Sequence, residues 1–244
     1  MDLSIIIPAY NESNKIATDV LAASEFLEHH MRSGEIIIVD DGSADDTQVH
    51  AELPVPPRIK LDVIRYDTNR GKGYAVKQGM LRSSGDLVMF ADSGLCIPYE
   101  NALRGIKAIQ QGRCELAHGS RKLPESRIIK KHLKSRQITS FLFKLLLRIW
   151  LHVPHRLTDT QCGFKIYKGD IARELYSESI IDGFQFDIEI ILRAVHKGYR
   201  ILEFPVDWSA DPDSRLNIAK MPRAILHELC ILKKELSKEF AKSP

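Results

Sequence analysis

Short apolar runs separated by helix-length amphipathic stretches organise the first half of the chain. Leu3–Pro8 is a run rich in β-branched residues, which suits a strand buried on both faces of a parallel sheet. Ala9-Tyr10-Asn11-Glu12-Ser13 then leads into a predicted helix with Ile16, Val20, Ala23 and Leu27 on one face, closed near Gly34. Glu35–Asp40 reads as a second strand and Asp41-Gly42-Ser43 as a turn. Leu61–Tyr66 is a third strand, followed by the glycine-rich Asn69-Arg70-Gly71-Lys72-Gly73 and another helix. Leu87–Ala91, ending at Asp92, is a fourth, and Glu115–His118 reads as a fifth. Repeated βα units predict an α/β, Rossmann-like fold with a mostly parallel central sheet and helices on both faces. Such sheets bind ligands beyond the carboxyl ends of their strands.

The polar residues follow that rule. Asn11 and Glu12 follow the first strand, Asp40 and Asp41 end the second, Gly71 and Lys72 follow the third, and Asp92 ends the fourth. Any one cluster reads as a turn or a helix cap. Four converging on one sheet edge read as a ligand site.

The second half has a different pattern. From Arg121 to Arg136 there are seven basic residues and the single acid Glu125, either a solvated face or a site for an anion or membrane surface. Residues 138–153 form an apolar stretch containing Trp150, with Lys144, Arg148 and His152 as its basic interruptions. That pattern fits a core helix or a helix lying in a membrane interface. A final helix, from about Lys220 to Phe240, presents Ile225, Leu229, Leu232 and Leu236 on one face, as core packing requires.

Composition narrows the classes. The chain has 244 residues, 44% hydrophobic and 27% charged, with a net charge of +3. These values fit a globular α/β protein and give no sign of a nucleic-acid partner. Cys96, Cys114, Cys162 and Cys230 are widely spaced, so we expect reduced thiols and no zinc site. The opening Met-Asp-Leu-Ser has no basic stretch before an apolar core, so no signal peptide is expected. No run reaches the roughly 18 apolar residues of a membrane span.

Several motifs fail. Gly71-Lys72-Gly73 is not a P-loop, since Tyr66 stands where the first glycine belongs and Gly73 where Ser or Thr is required. No GxGxxG opens a helix, Asp40–Asp46 lacks EF-hand spacing, and neither GxSxG nor HExxH occurs. What remains is a set of carboxylates, a glycine-lysine turn and cations. Carboxylates can bind a nucleobase, a ribose or a divalent ion. Glycine lets backbone approach a ligand, and cations can neutralise a leaving diphosphate.

Three segments carry a resemblance: Ile5-Ile6-Ile7-Pro8-Ala9-Tyr10-Asn11-Glu12, Ile38-Val39-Asp40-Asp41-Gly42-Ser43-Ala44-Asp45-Asp46-Thr47, and Asn69-Arg70-Gly71-Lys72-Gly73. Together they resemble the inverting GT-A glycosyltransferases. Gly119-Ser120-Arg121, Asp159-Thr160-Gln161-Cys162-Gly163-Phe164-Lys165, Phe186-Asp187-Ile188-Glu189, Val206-Asp207-Trp208 and Ser214-Arg215-Leu216 are similar to the dolichyl-phosphate β-glucosyltransferases. The dolichyl-phosphate mannose synthases share the first half and match the second less well.

The resemblance implies one GT-A domain over 1–244, with a nucleotide-sugar half at 1–120 and an acceptor half at 121–244. Pro8, Ala9, Tyr10, Glu12, Asp40 and Asp41 would line the base and ribose pocket. Lys72 and Arg121 would face the phosphates, Gly71 and Ser93 would also bind the donor, and Asp92 would hold Mg²⁺ or Mn²⁺. Asp159 to Lys165, with Asp187 and Glu189, would shape the sugar and acceptor end, with Asp92, Asp159, Gln161, Asp187 and Glu189 as the catalytic candidates. Arg127, Lys131, Arg136 and Arg215 would meet a lipid phosphate.

The implied reaction moves glucose from UDP-glucose to a polyprenyl or dolichyl phosphate. The protein would act peripherally at the cytosolic face of a membrane, on the bilayer surface or through a membrane-protein partner. GDP-mannose as donor, or a non-catalytic nucleotide-binding relative, are the alternatives. If the acceptor were a hydroxyl, Asp159 would be the candidate base. One departure bears on the metal: the family's Asp-x-Asp is here Asp92-Ser93-Gly94.

Overall fold

The computed structural model describes residues 1–130, 148–210 and 222–240. Strands β1 (Leu3–Ala9), β2 (Gly34–Asp40), β3 (Ile59–Arg65) and β4 (Leu87–Ala91) alternate with helices α1 (Ile16–His30), α2 (Thr47–Ala51) and α3 (Lys72–Arg82). Helix α4 (Ala102–Gln110) leads to β5 (Leu116–Ser120) and β6 (Arg127–Lys130). Then come β7 (Phe164–Lys168), α5 (Gly169–Ser177), α6 (Phe186–His196), β8 (Ile201–Pro205), β9 (Asp207–Ser209) and α7 (Pro222–Phe240). The central sheet has seven strands in the order β3-β2-β1-β4-β7-β5-β8, and β6 pairs with β9 in a separate ribbon.

The continuous apolar runs of β1 and β2 are explained by burial on both faces. Ile5, Ile7, Ile36 and Ile38 join the core shared with α1 and α4, whereas Ile6, Ile37 and Val39 join the core shared with α3, α5, α6 and α7. Successive side chains of a strand point to opposite faces. Each fully buried isoleucine contributes roughly 1.5–3 kcal/mol, and a charge put in its place would be left unpaired. On α7, Leu229, Leu232 and Leu236 are buried and Ile225 packs against the same core.

Two expectations are corrected. Gly34 does not cap α1. It is the first residue of β2, where an added Cβ would lie 2.7 Å from the Leu27 side chain. The fifth strand runs over Leu116–Ser120, two residues beyond the predicted end.

The placement of β7 decides where the site lies. It runs antiparallel between β4 and β5, pairing Ala91 with Phe164 and His118 with Lys165. An antiparallel strand enters at the edge where its neighbours leave. The segment before β7, Asp159–Gly163, therefore reaches the same edge as Asp92 after β4 and Arg121 after β5.

Candidate active site

The candidate site begins where the loops after β1 and β2 fasten to each other. Asn11, at φ +53°, donates its N–H to Ser43 Oγ (2.8 Å), and its Oδ1 accepts from the Ala44 N–H (2.7 Å). The Glu12 N–H reaches Thr47 Oγ1 at 2.8 Å, and that of Ser13 reaches Asp45 Oδ2 at 3.3 Å. Asparagine tolerates left-handed backbone better than most residues, so the Asn-Glu pair fixes the bend beyond the buried Pro8 and Ala9. Tyr10 is exposed at this corner.

Asp40 and Asp41 divide their work. Asp40 is fully buried, accepts the Ser43 N–H at 2.9 Å, and has Oδ2 3.9 Å from Arg65 Nε. Asp41 accepts the backbone N–H groups of Arg70 and Gly71, each at 2.8 Å. Burial raises its pKa despite those bonds. Asp41 thus fixes the glycine-lysine turn at the pocket wall.

That turn needs its glycines. Gly71 has φ +112°, and an added Cβ would lie 2.5 Å from the Asp182 carbonyl oxygen. A Cβ on Gly73 would lie 2.5 Å from that of Ile181. The Tyr74 N–H donates to Asp182 O at 3.0 Å. The 180–183 loop is in turn held by Glu189, which accepts the N–H groups of Ile180 and Ile181 and the Nε–H of Arg193. Glu189 is fully buried in these contacts. Its carboxylate supports the turn from behind through these groups.

Lys72, the first residue of α3, reaches across to Asp92 with Nζ to Oδ1 at 2.5 Å. Burial works against the ammonium, but Asp92 and Asp187 outweigh it and hold its pKa above the ordinary lysine value. The Asp92 N–H donates to Gly163 O at 2.9 Å, fastening the end of β4 to the start of β7.

Arg121 and Asp159 form the opposite wall. Arg121 donates Nε–H to Oδ2 (2.6 Å) and Nη2–H to Oδ1 (2.8 Å), and its backbone N–H also meets Oδ2 (3.1 Å). Burial opposes the guanidinium charge, and Asp159 reverses that effect, leaving its pKa above the ordinary value. Glu203 on β8 anchors the segment by accepting the N–H groups of Thr158 and Asp159. A carboxylate engaged at both oxygens by one guanidinium is a fixing group for Arg121, so the geometry does not present Asp159 as a ready base.

Beneath lies a buried ion pair. Lys165 Nζ meets Asp187 Oδ1 at 2.6 Å and Cys162 O at 2.8 Å. Burial pushes the Asp187 carboxyl up, against the pull of Lys165 and Lys72. Gln161 Nε2 donates to Gln185 Oε1 at 3.3 Å.

The structure thus brings Lys72, Asp92, Arg121, Asp159 and Asp187 together. Arg127 is exposed on β6, 4.0 Å from Asp207, and lies apart from that cluster's ion pairs. Lys131, Arg136 and Arg215 lie outside the described residues, as does most of the 138–153 stretch. Gly163 entered the sequence reading only as part of the Asp159–Lys165 segment, and two contributors escaped it. Glu203 left no distinguishing signal. Asp19 did: it sits on α1 between Ile16 and Val20, a carboxylate on an apolar stripe.

The loop after Asp92 carries the altered motif. Gly94 has φ +87° and Leu95 φ +47°. Among the described residues, no group of three or more His, Cys, Asp or Glu side chains is placed to hold a metal ion. The protein's donor at this point is the single carboxylate of Asp92, which fits an ion whose remaining ligands come from a diphosphate and water. Gly94→Asp is therefore expected to cost about 1–2 kcal/mol through its left-handed backbone, lowering Tm by about 2–8 °C. It should bring no gain in Mn²⁺ affinity. Thermal melts and a Mn²⁺ titration check this, and tighter Mn²⁺ binding at unchanged Tm would contradict it.

The glycosyl transferase family 2 model matches residues 4–175. The chain belongs to that family. Among curated family relatives, it is 30% identical over 234 residues to the dolichyl-phosphate beta-glucosyltransferase of Saccharomyces cerevisiae, covering 89% of this chain and 70% of that one. It is 31% identical over 229 residues to the enzyme of the same name from Drosophila melanogaster, covering 88% and 69%. Among solved structures, it matches glucosyl-3-phosphoglycerate synthase from Mycobacterium tuberculosis, in complex with Mn²⁺, UDP and glucosyl-3-phosphoglycerate. That match has a TM-score of 0.72 at 17% identity, over 96% of this chain and 80% of that one. At that identity the structural match establishes the shared fold. The family match makes this protein a glycosyltransferase.

Proposed function

We propose that this family 2 glycosyltransferase moves glucose from UDP-glucose to the phosphate of a polyprenyl or dolichyl lipid, inverting the anomeric carbon. The observation that carries the reading is the similarity, at about 30% identity over nearly nine tenths of the chain, to relatives named dolichyl-phosphate beta-glucosyltransferase.

The site chemistry supports it. A phosphate monoester has a second pKa of about 6 and is mostly dianionic near neutral pH, so it attacks without a catalytic base. Asp159, engaged by Arg121, is consistent with that requirement. Lys72 and Arg121 face the leaving diphosphate and stabilise the charge that develops on it. Asp92 would hold Mg²⁺ or Mn²⁺, which supplies further positive charge to the diphosphate. Asp187, buried against Lys165, fixes the floor of the sugar end.

The protein would work peripherally at the cytosolic face of a membrane, with Arg127 and the basic run beyond it meeting the lipid phosphate. Among the described residues no helix is long and apolar enough to cross a membrane. Arg127→Glu is expected to raise KM for lipid phosphate several-fold and leave KM for the donor unchanged. Identical steady-state kinetics in the variant would remove Arg127 from the acceptor site.

The deciding experiment is calorimetric titration of UDP, GDP and UDP-glucose, each with and without Mn²⁺, followed by a transfer assay with dolichyl phosphate. Metal-enhanced binding of the uridine compounds, with GDP weak, is expected. Preference for GDP would move the donor to GDP-mannose. Gly94 favours one second reading, a nucleotide-binding relative without turnover; uridine binding with no transfer to lipid phosphate would select it.

A further inference from the structure

The loop that carries Asp92 is held from below by a residue on a different element. Asp19 of α1 is 1% exposed, yet its carboxylate accepts the Gly94 N–H at 3.0 Å (Oδ1) and 2.9 Å (Oδ2), and the Leu95 N–H at 3.0 Å (Oδ1). Successive N–H groups in a turn can converge on one anion, and here those of Gly94 and Leu95 do so. In this chain the anion is a side chain of the protein. Gly94 lets the backbone adopt that turn without steric cost.

We propose that Asp19 is a positioning residue for transfer. It fixes the Asp92-Ser93-Gly94-Leu95 loop against α1 and so sets where the Asp92 carboxylate stands relative to Lys72. The loop that lacks an acid at position 94 is oriented by a buried carboxylate beneath it. This rests on the nucleotide-sugar reading above.

A purely stabilising role fits the observations less well. Burial raises the Asp19 pKa from 3.8 to about 6, with Glu12 adding repulsion and Lys15 attraction, and its charge also bears on buried Tyr99. An acid whose folded pKa is raised binds its proton more tightly in the folded state. Its ionisation, as pH rises from about 4 through about 6, therefore works against folding. At neutral pH the fold carries a charge that opposes its stability, as expected where placement of a loop is what matters.

The test compares Asp19→Asn and Asp19→Ala with the wild type in thermal melts, amide exchange at Gly94 and Leu95, and donor kinetics with Mn²⁺. We expect Tm at pH 7 to hold within a few degrees. Exchange at both amides should speed up, and kcat should fall about 10–100-fold, the scale of a misplacement of about 1 Å, while KM for the donor changes less. Unchanged kcat in either folded variant would overturn the proposal. So would rapid wild-type exchange at the two amides, or a loss confined to Tm. A wild-type preference for GDP would instead correct the uridine reading, and the variant-to-wild-type ratio is then taken with GDP.

Discussion

Lys72→Met is expected to lower kcat/KM for glucosyl transfer by about 10²–10³-fold, the usual effect of removing one preorganised charge that faces the leaving group. Methionine keeps the length and the apolar stem of lysine, so α3 and its contact with the 180–183 loop should persist. Two things are lost together. The developing diphosphate loses the nearest ammonium, and Asp92 loses the partner now 2.5 Å away. The second effect compounds the first, because Asp187 keeps the repulsion of Asp92 and loses the attraction of Lys72. Steady-state kinetics at several Mn²⁺ concentrations separate the two. Raising Mn²⁺ should recover part of the loss if it arises at Asp92, and none of the part that arises at the diphosphate. A variant within threefold of wild type at every Mn²⁺ level would show that Lys72 does not face the reacting phosphates.

The sheet edge was legible in the chain because parallel strands advertise themselves. Ile5-Ile6-Ile7 and Ile36-Ile37-Ile38 are continuous because both faces are covered, and each ends in a polar turn. The positions of Lys72 and Asp92 at one edge followed from strand ends alone, whereas Arg121 came only from the resemblance. What escaped was long-range. Phe164–Lys168 pairs between β4 and β5 although more than forty residues separate it from either, and no local periodicity encodes that insertion. The same holds for Glu189 on α6, whose hold on the backbone groups of Ile180 and Ile181 no local pattern announces. Asp159 likewise reads as a free acid until β7 brings it to Arg121. A sequence reports the type of each charged group. The fold reports whether its lone pairs are already engaged.

Gly163 tests that lesson most directly. A Cβ added there would lie 2.1 Å from the carboxyl carbon and Oδ2 of Asp92 and 2.2 Å from Oδ1. The backbone cannot withdraw, because Gly163 O accepts the Asp92 N–H at the junction of β4 and β7. Gly163 is not among the residues with positive φ, so alanine is compatible with its backbone and the substitution probes crowding alone. Asp92 must therefore rotate away from Lys72 in Gly163→Ala, and transfer is expected to fall about a hundredfold with the sheet intact. A double-mutant cycle decides whether the loss runs through Asp92. Asp92→Ala should lose activity on its own, and Gly163→Ala added to it should then cost little more, since the clashing carboxylate is gone. Independent, multiplying losses in the double variant would mean that Gly163 acts on the site by another route.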